Sequence, residues 1–197
     1  MDISGTRALV TGAAGGLGTA IAEHLSAKGA TVVLSGRNET ALTALAKRLG
    51  GEVLLGDLTM AADVEKVGDA LDGIDILVAN AGVGGDTDAT APDTALIDSL
   101  IDVNLRAPIH LATRFAAEHL ASEAPGHIVL IGSLAGLAAS PTTYMYNATK
   151  FGLRGFGLAF AQDLHGTNVG CSLVEPGLIR DAGLFANSGI DLPPGVR

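Results

Sequence analysis

A chain of 197 residues is long enough for one domain with a sizeable core. Its 48% hydrophobic content and mean hydropathy of +0.40 exclude a disordered chain. A net charge of −9 and a pI near 4.8 argue against a nucleic-acid or anionic-membrane surface, so neither partner is expected, although a local basic pocket for a phosphate remains allowed.

Residues 7–11 read as a short buried strand. It runs into a glycine-rich loop, residues 12–18, and then a helix carrying Leu17, Ile21 and Leu25 on one face and ending at Gly29. Residues 31–35 form the second strand. Asn38 caps a helix whose Leu42, Leu45, Ala46 and Leu49 follow helical spacing, and Gly50-Gly51 stops it. Residues 53–55 are a third strand ending at Asp57, and Val64, Val67 and Leu71 mark a third helix. Residues 74–79 are the fourth strand, ending in Asn80-Ala81-Gly82. After a polar loop, 84–92, a long helical region is expected over 93–122. A fifth strand (128–131), a helix within 141–164 and a sixth strand (169–174) follow. Strands alternating with helices predict an α/β fold with a doubly wound parallel sheet in the order 3-2-1-4-5-6. There are no repeats and no linker, so residues 1–197 read as a single domain.

The single cysteine, Cys171, has no internal disulfide partner and sits in an apolar run, where a buried, inert thiol is expected. The N-terminus lacks a basic-then-apolar leader pattern, which predicts a cytoplasmic location. The five histidines show no metal-ligand spacing, and no metal is expected.

Two stretches carry chemistry. Tyr146 and Lys150 lie four apart on a helix and share a face. An ammonium beside a phenol is expected to favour phenolate and draw its pKa down from about 10, towards the range of a working acid or base. Ser133, just past a buried strand, is placed to bond a substrate oxygen, whereas Tyr144 falls on a different face from Lys150. The loop Thr11-Gly12-Ala13-Ala14-Gly15-Gly16-Leu17-Gly18 follows a strand and opens a helix, the context in which glycines cradle a pyrophosphate. Gly12 permits a tight turn, Gly16 a close backbone approach, and Gly18 close helix–strand packing.

Four separated motifs, Thr11-Gly12-x-x-x-Gly16-x-Gly18, Asn80-Ala81-Gly82, Ser133 and Tyr146-x-x-x-Lys150, occur in an order that resembles the short-chain dehydrogenase/reductase family in its single-domain branch. Asn104 and Pro176-Gly177 match as well, so the resemblance covers essentially the whole chain. It implies a Rossmann fold and an oxidoreductase interconverting a carbonyl and a secondary alcohol. It implies Tyr146 as general acid/base, Lys150 lowering its pKa and binding the nicotinamide ribose, Ser133 orienting the substrate oxygen, and Asn104 holding a water chain to Lys150. It places Gly12, Gly16, Leu17 and Gly18 on the pyrophosphate, Asp57 and Leu58 at the adenine, Asn80, Ala81 and Gly82 beneath the cofactor, and Pro176, Gly177 and Ile179 around the nicotinamide. Pro108, four residues after Asn104, lacks the N–H that would close the Asn104 carbonyl, which suits either a water relay or an ordinary proline kink.

Cofactor choice is set after the second strand, at Ser35-Gly36-Arg37. The acidic position of NAD binders is occupied by Gly36, and Arg37 matches a 2′-phosphate, with Ser35 adding a hydroxyl, so NADP(H) is expected over NAD(H). Two departures from the family stand out. Asp181 occupies the place of a threonine, and the usual last helix and seventh strand are expected to be absent, the sequence ending at Arg197. Residues 134–139 and 178–192 are expected to form an apolar wall for a hydrophobic ketone or alcohol, and a homodimer or homotetramer is expected. The rival reading is a non-catalytic nucleotide-binding or scaffold protein on the same fold. A methyltransferase on this fold explains neither Tyr146 and Lys150 nor Arg37.

Overall fold

A computed structural model describes residues 2–177. Six parallel strands form one sheet: β1 (Arg7–Thr11), β2 (Thr31–Gly36), β3 (Glu52–Leu55), β4 (Ile76–Ala79), β5 (Gly126–Ile131) and β6 (Val169–Val174). Their spatial order is β3-β2-β1-β4-β5-β6, as the alternating pattern predicts. The direction of strand addition reverses between β1 and β4, the point at which a doubly wound sheet leaves a crevice at its carboxyl ends.

Period-two alternation along the strands builds two cores. Leu9, Leu77, Ile128 and Leu130 face one side, under α3 (Ala61–Asp69), α5 (Ala107–Ser122) and α6 (Tyr144–Asp163). Ala8, Val10, Leu34, Ile76 and Val78 face the other, with α1 (Gly16–Ala27) and α2 (Glu39–Leu49). The helix ends follow the sequence signals. The Asn38 side chain accepts from the Ala41 N–H at 3.0 Å, and Gly50 closes α2 in a left-handed conformation with φ 67°.

Leu71 and Ile74 are core residues, as their hydrophobicity suggests, but neither lies in a regular element. Leu71 follows α3, and Ile74 turns back to donate its N–H to the Leu71 carbonyl at 3.0 Å before β4 begins. The helical region expected over 93–122 is three segments: α4 (Thr94–Ile101), a π-helical turn (Asp102–Arg106) and α5. Pro108 gives the physical reason. It offers no N–H to the Asn104 carbonyl, and the ladder widens there, with the Ala107 N–H reaching Asp102 five residues back.

Among the described residues no helix is long and apolar enough to cross a membrane. Phe115 is fully buried at the centre of the α5 face and stacks on His119 with ring centroids 4.0 Å apart. Phe115→Ala is expected to lower stability by about 3–5 kcal/mol, read as a fall in the urea midpoint with an unchanged slope.

Candidate active site

The crevice between β1 and β4 is held by a polar latch. Thr11, 1% exposed, accepts through its hydroxyl from the N–H groups of Asn80 and Ala81, both at 3.0 Å. The Asn80 amide donates back to the Thr11 carbonyl at 2.9 Å and the Gly12 carbonyl at 3.3 Å. Gly12 is at φ +64°, and a Cβ there would come within 2.8 Å of the Ala81 Cα. A Cβ on Gly18 would collide with the Gly12 carbonyl and lie 2.9 Å from the Ala13 Cα. Both glycines are therefore required by packing. Gly16 and Leu17 open α1, whose N-cap Gly15 brings no side-chain cap, so no cap occupies the first N–H groups of this helix.

On the β2 side, Ser35 is buried at the strand end and its carbonyl accepts from Ala13 at 3.0 Å. Arg37 is 64% exposed and lies 3.7 Å from Asp57. The Asp57 carboxyl is held below its ordinary value chiefly by the Thr59 N–H; slight burial opposes this, and the Thr59 hydroxyl and Arg37 add to it. An exposed pair of this kind contributes little to stability, so its guanidinium is available to another anion. Leu58, expected at the adenine, is 7% exposed and packs into the α3 core.

The candidate catalytic side chains come from three elements. Ser133 follows β5, its Oγ accepting from the Ala135 N–H at 3.1 Å. Tyr146 and Lys150 come from the first turns of α6, with the Lys150 Nζ 5.8 Å from the centroid of the Tyr146 ring. Lys150 is 4% exposed, and its ammonium donates to the Ile131 carbonyl at 3.0 Å. Burial pushes its pKa down to about 8. Asn104 is fully buried; its Oδ1 accepts from the Val83 N–H and its Nδ2 donates to the Val83 carbonyl, both at 2.8 Å. Gly82 sits between these groups: a Cβ on it would lie 3.4 Å from the Asn104 Oδ1 and 3.9 Å from the Lys150 Nζ. Pro176 and Gly177 close the site at the end of β6. The Pro176 carbonyl accepts from Leu134 at 3.0 Å, and a Gly177 Cβ would lie 3.3 Å from the Leu134 side chain.

One electrostatic expectation is corrected. The Tyr146 phenol is shifted upward, because burial outweighs the opposing pull of the Ser133 side chain, and Lys150 does not offset it. The ammonium is turned to the Ile131 carbonyl, and burial lowers its own pKa to about 8. Tyr144 is exposed with its hydroxyl 3.5 Å from the Asp88 carbonyl, away from this cluster. Cys171 is half-buried, and burial pushes its thiol up to about 11, consistent with an inert group. No group of three potential metal ligands occurs among the described residues. Ile179, Asp181 and the apolar stretch 178–192 lie outside the described residues.

Three features escape sequence reasoning. Asn147, beside Tyr146, makes four side-chain hydrogen bonds to the loop after Ser133. Its signal was an asparagine in the first turns of a helix, where this residue is intrinsically unfavourable. Thr142 adopts φ +63°, rare for a β-branched residue, and its carbonyl accepts from the Thr87 N–H at 2.5 Å and hydroxyl at 3.1 Å. Arg154, one turn beyond Lys150, pairs with Glu175, whose other oxygen has no hydrogen-bond partner among the described residues. Long-range pairs of this kind carry no local signature.

Comparison with known proteins agrees with this geometry. Residues 6–191 match the family model described as short chain dehydrogenase. A nodulation protein G of Rhizobium sp. is 37% identical over 187 residues, covering 92% of this chain and 76% of that protein. A 3-oxoacyl-[acyl-carrier-protein] reductase of Rickettsia bellii is 35% identical over 182 residues, covering 91% and 75%. Among solved structures, a short-chain dehydrogenase from Sphingobium yanoikuyae in complex with NADPH superposes with a TM-score of 0.87 at 32% identity, covering 94% of this chain and 75% of that one. The chain belongs to the short-chain dehydrogenase family, a family of oxidoreductases.

The buried ammonium makes a pH prediction. From pH about 8 up to the ordinary lysine value of 10.5, the unfolded chain binds a proton at Lys150 that the folded chain does not. Relative to Lys150→Met, the wild-type chain is therefore expected to gain stability as pH rises through that window, with a slope of up to about 1.4 kcal/mol per pH unit. Denaturant melts at stepped pH check this; a difference that stays flat contradicts it.

Proposed function

We propose that this chain is an NADP(H)-dependent oxidoreductase that interconverts a carbonyl and a secondary alcohol, with Tyr146 as general acid/base. The observation that carries the reading is the convergence of Ser133, Tyr146 and Lys150 beside a crevice whose glycines leave room only for backbone. The fit to a dinucleotide rests on that cradle, on the uncapped start of α1, and on Arg37 at the end of β2. A nicotinamide bound there supplies or accepts the hydride. The rest of the chemistry belongs to the chain. Ser133 and Tyr146 bond the substrate oxygen, and the phenol gives it a proton in reduction or, as phenolate, takes one in oxidation. The raised pKa of the phenol suits it as an acid in the reductive direction.

Lys150 orients the ribose and restores the phenol's proton. The widened turn at Asn104 frees that residue's carbonyl from its i+4 donor, so a water relay to Lys150 has a fixed starting point. Arg37 takes the 2′-phosphate in place of Asp57, and NAD(H) is the weaker alternative. The substrate is a small, hydrophobic ketone or alcohol, in keeping with exposed Leu134 and Leu137 flanking Ser133. Residues 1–197 act as one nucleotide-binding domain. Exposed Leu120 on α5 and Phe151 and Leu158 on α6 suit a homodimer or homotetramer built on these helices.

Tyr146→Phe is expected to reduce turnover of a ketone panel at least about a hundredfold while leaving NADPH affinity within about twofold; retained turnover would overturn the role of the phenol. Arg37→Ala is expected to weaken NADPH binding about tenfold or more, by loss of a charge-assisted bond, with NADH binding little changed. An unchanged ratio of the two affinities would remove Arg37 from cofactor selection.

A further inference from the structure

Asn147 is 5% exposed and uses the whole hydrogen-bonding capacity of its amide. Its Oδ1 accepts from the Ser140 N–H at 3.3 Å and the Thr143 hydroxyl at 2.8 Å. Its Nδ2 donates to the Ala135 carbonyl at 2.8 Å and the Ala138 carbonyl at 3.0 Å. All four partners lie in the segment that leads from Ser133 into α6. Ala135 is the link to the reacting serine, because its N–H donates to the Ser133 Oγ at 3.1 Å while its carbonyl is gripped by Asn147. The bond from Ala135 occupies an acceptor position on Ser133 and leaves the hydroxyl proton free to point elsewhere. On the other side, Asn147 is covalently next to Tyr146.

We propose that Asn147 is a positioning residue that sets the distance between Ser133 and Tyr146, by stapling the loop after β5 to the first turn of α6. The inference rests on Ser133 and Tyr146 being the reacting pair. A segment of this kind, with a left-handed Thr142 and no regular structure between the short turn Leu134–Gly136 and α6, has little else to fix it against the helix. The other bonds in the segment either are local, Ser140 to Thr143 at 2.7 Å and Thr143 back to the Ser140 carbonyl at 3.2 Å, or tie it away from α6, Thr87 to the Thr142 carbonyl and Leu134 to the Pro176 carbonyl. Reaction rates are steep in such distances; a misplacement of about 1 Å can cost about a hundredfold.

The test is a double-mutant cycle on the full chain, following NADPH oxidation with the ketone of the panel that is turned over fastest. Asn147→Ala is expected to lower kcat about 10- to 100-fold with NADPH affinity within about twofold. Placed on Ser133→Ala, the same change is expected to lower kcat less than about threefold further, since the group it positions is already gone. Asn147→Asp keeps the acceptor side and replaces both donors, and it is expected to be impaired like Asn147→Ala. It decides the question if the alanine variant fails to fold. Wild-type turnover in either variant, alongside an impaired Ser133→Ala, would overturn the positioning role alone. An equal loss in both backgrounds would also overturn it, because general loosening does not act through Ser133. Wild-type turnover in Ser133→Ala itself would instead overturn the assignment of the reacting pair, and the inference with it.

Discussion

The ammonium of Lys150 inside the protein is the constraint on which the rest of the site depends. An ammonium in a low-dielectric setting is costly unless it is bonded. Here its partner is the carbonyl of Ile131, the last residue of β5, so α6 is held against the carboxyl end of the sheet. The surroundings are correspondingly crowded. A Cβ on Gly136 would lie 2.8 Å from the Lys150 carbonyl, and one on Gly82 would approach its Nζ. A fold selected for stability alone would place an apolar residue at this position. The retained charge, its pKa pushed down to about 8 by burial, supports the proposed functional role of Lys150.

The crevice that would receive that ligand is formed by strand order. Because β1 and β4 are neighbours, the loops after them diverge to opposite faces, and the gap is left at their ends. Thr11 and Asn80 keep the gap from collapsing by exchanging hydrogen bonds across it. Asn104 extends the arrangement by fixing the Val83 backbone just beyond Gly82. The polar groups at the base of the crevice are thus satisfied, and Gly12 and Gly18 keep the backbone close beside it, as a pre-formed ligand site requires.

Much of this was legible in the sequence because the signals are local. Short apolar runs alternating with helical patterns predict six strands, right-handed crossovers predict their order, and Asn38 and Gly50 mark both ends of α2. Pro108 signals a lost donor for the Asn104 carbonyl within the expected long helix, but not the widened turn over Asp102–Arg106 that divides it. The rest was hidden because it depends on where side chains end. The burial of Leu58 in the α3 core, for example, is set by long-range packing that its place after Asp57 does not reveal. The phenol of Tyr146 was expected to be lowered by Lys150, but spacing along a helix fixes a shared face and not the direction of an ammonium. Asn147 is the clearest case, since its four partners lie 4 to 12 residues away along an irregular loop.

The most direct test of the account is a titration of the purified 197-residue chain with NADPH and with NADH, followed by reduced-nicotinamide fluorescence. The account predicts saturable binding of both, with NADPH bound the more tightly because only its 2′-phosphate engages Arg37. Absence of binding to either cofactor would contradict the central claim that the crevice between β1 and β4 is a dinucleotide site.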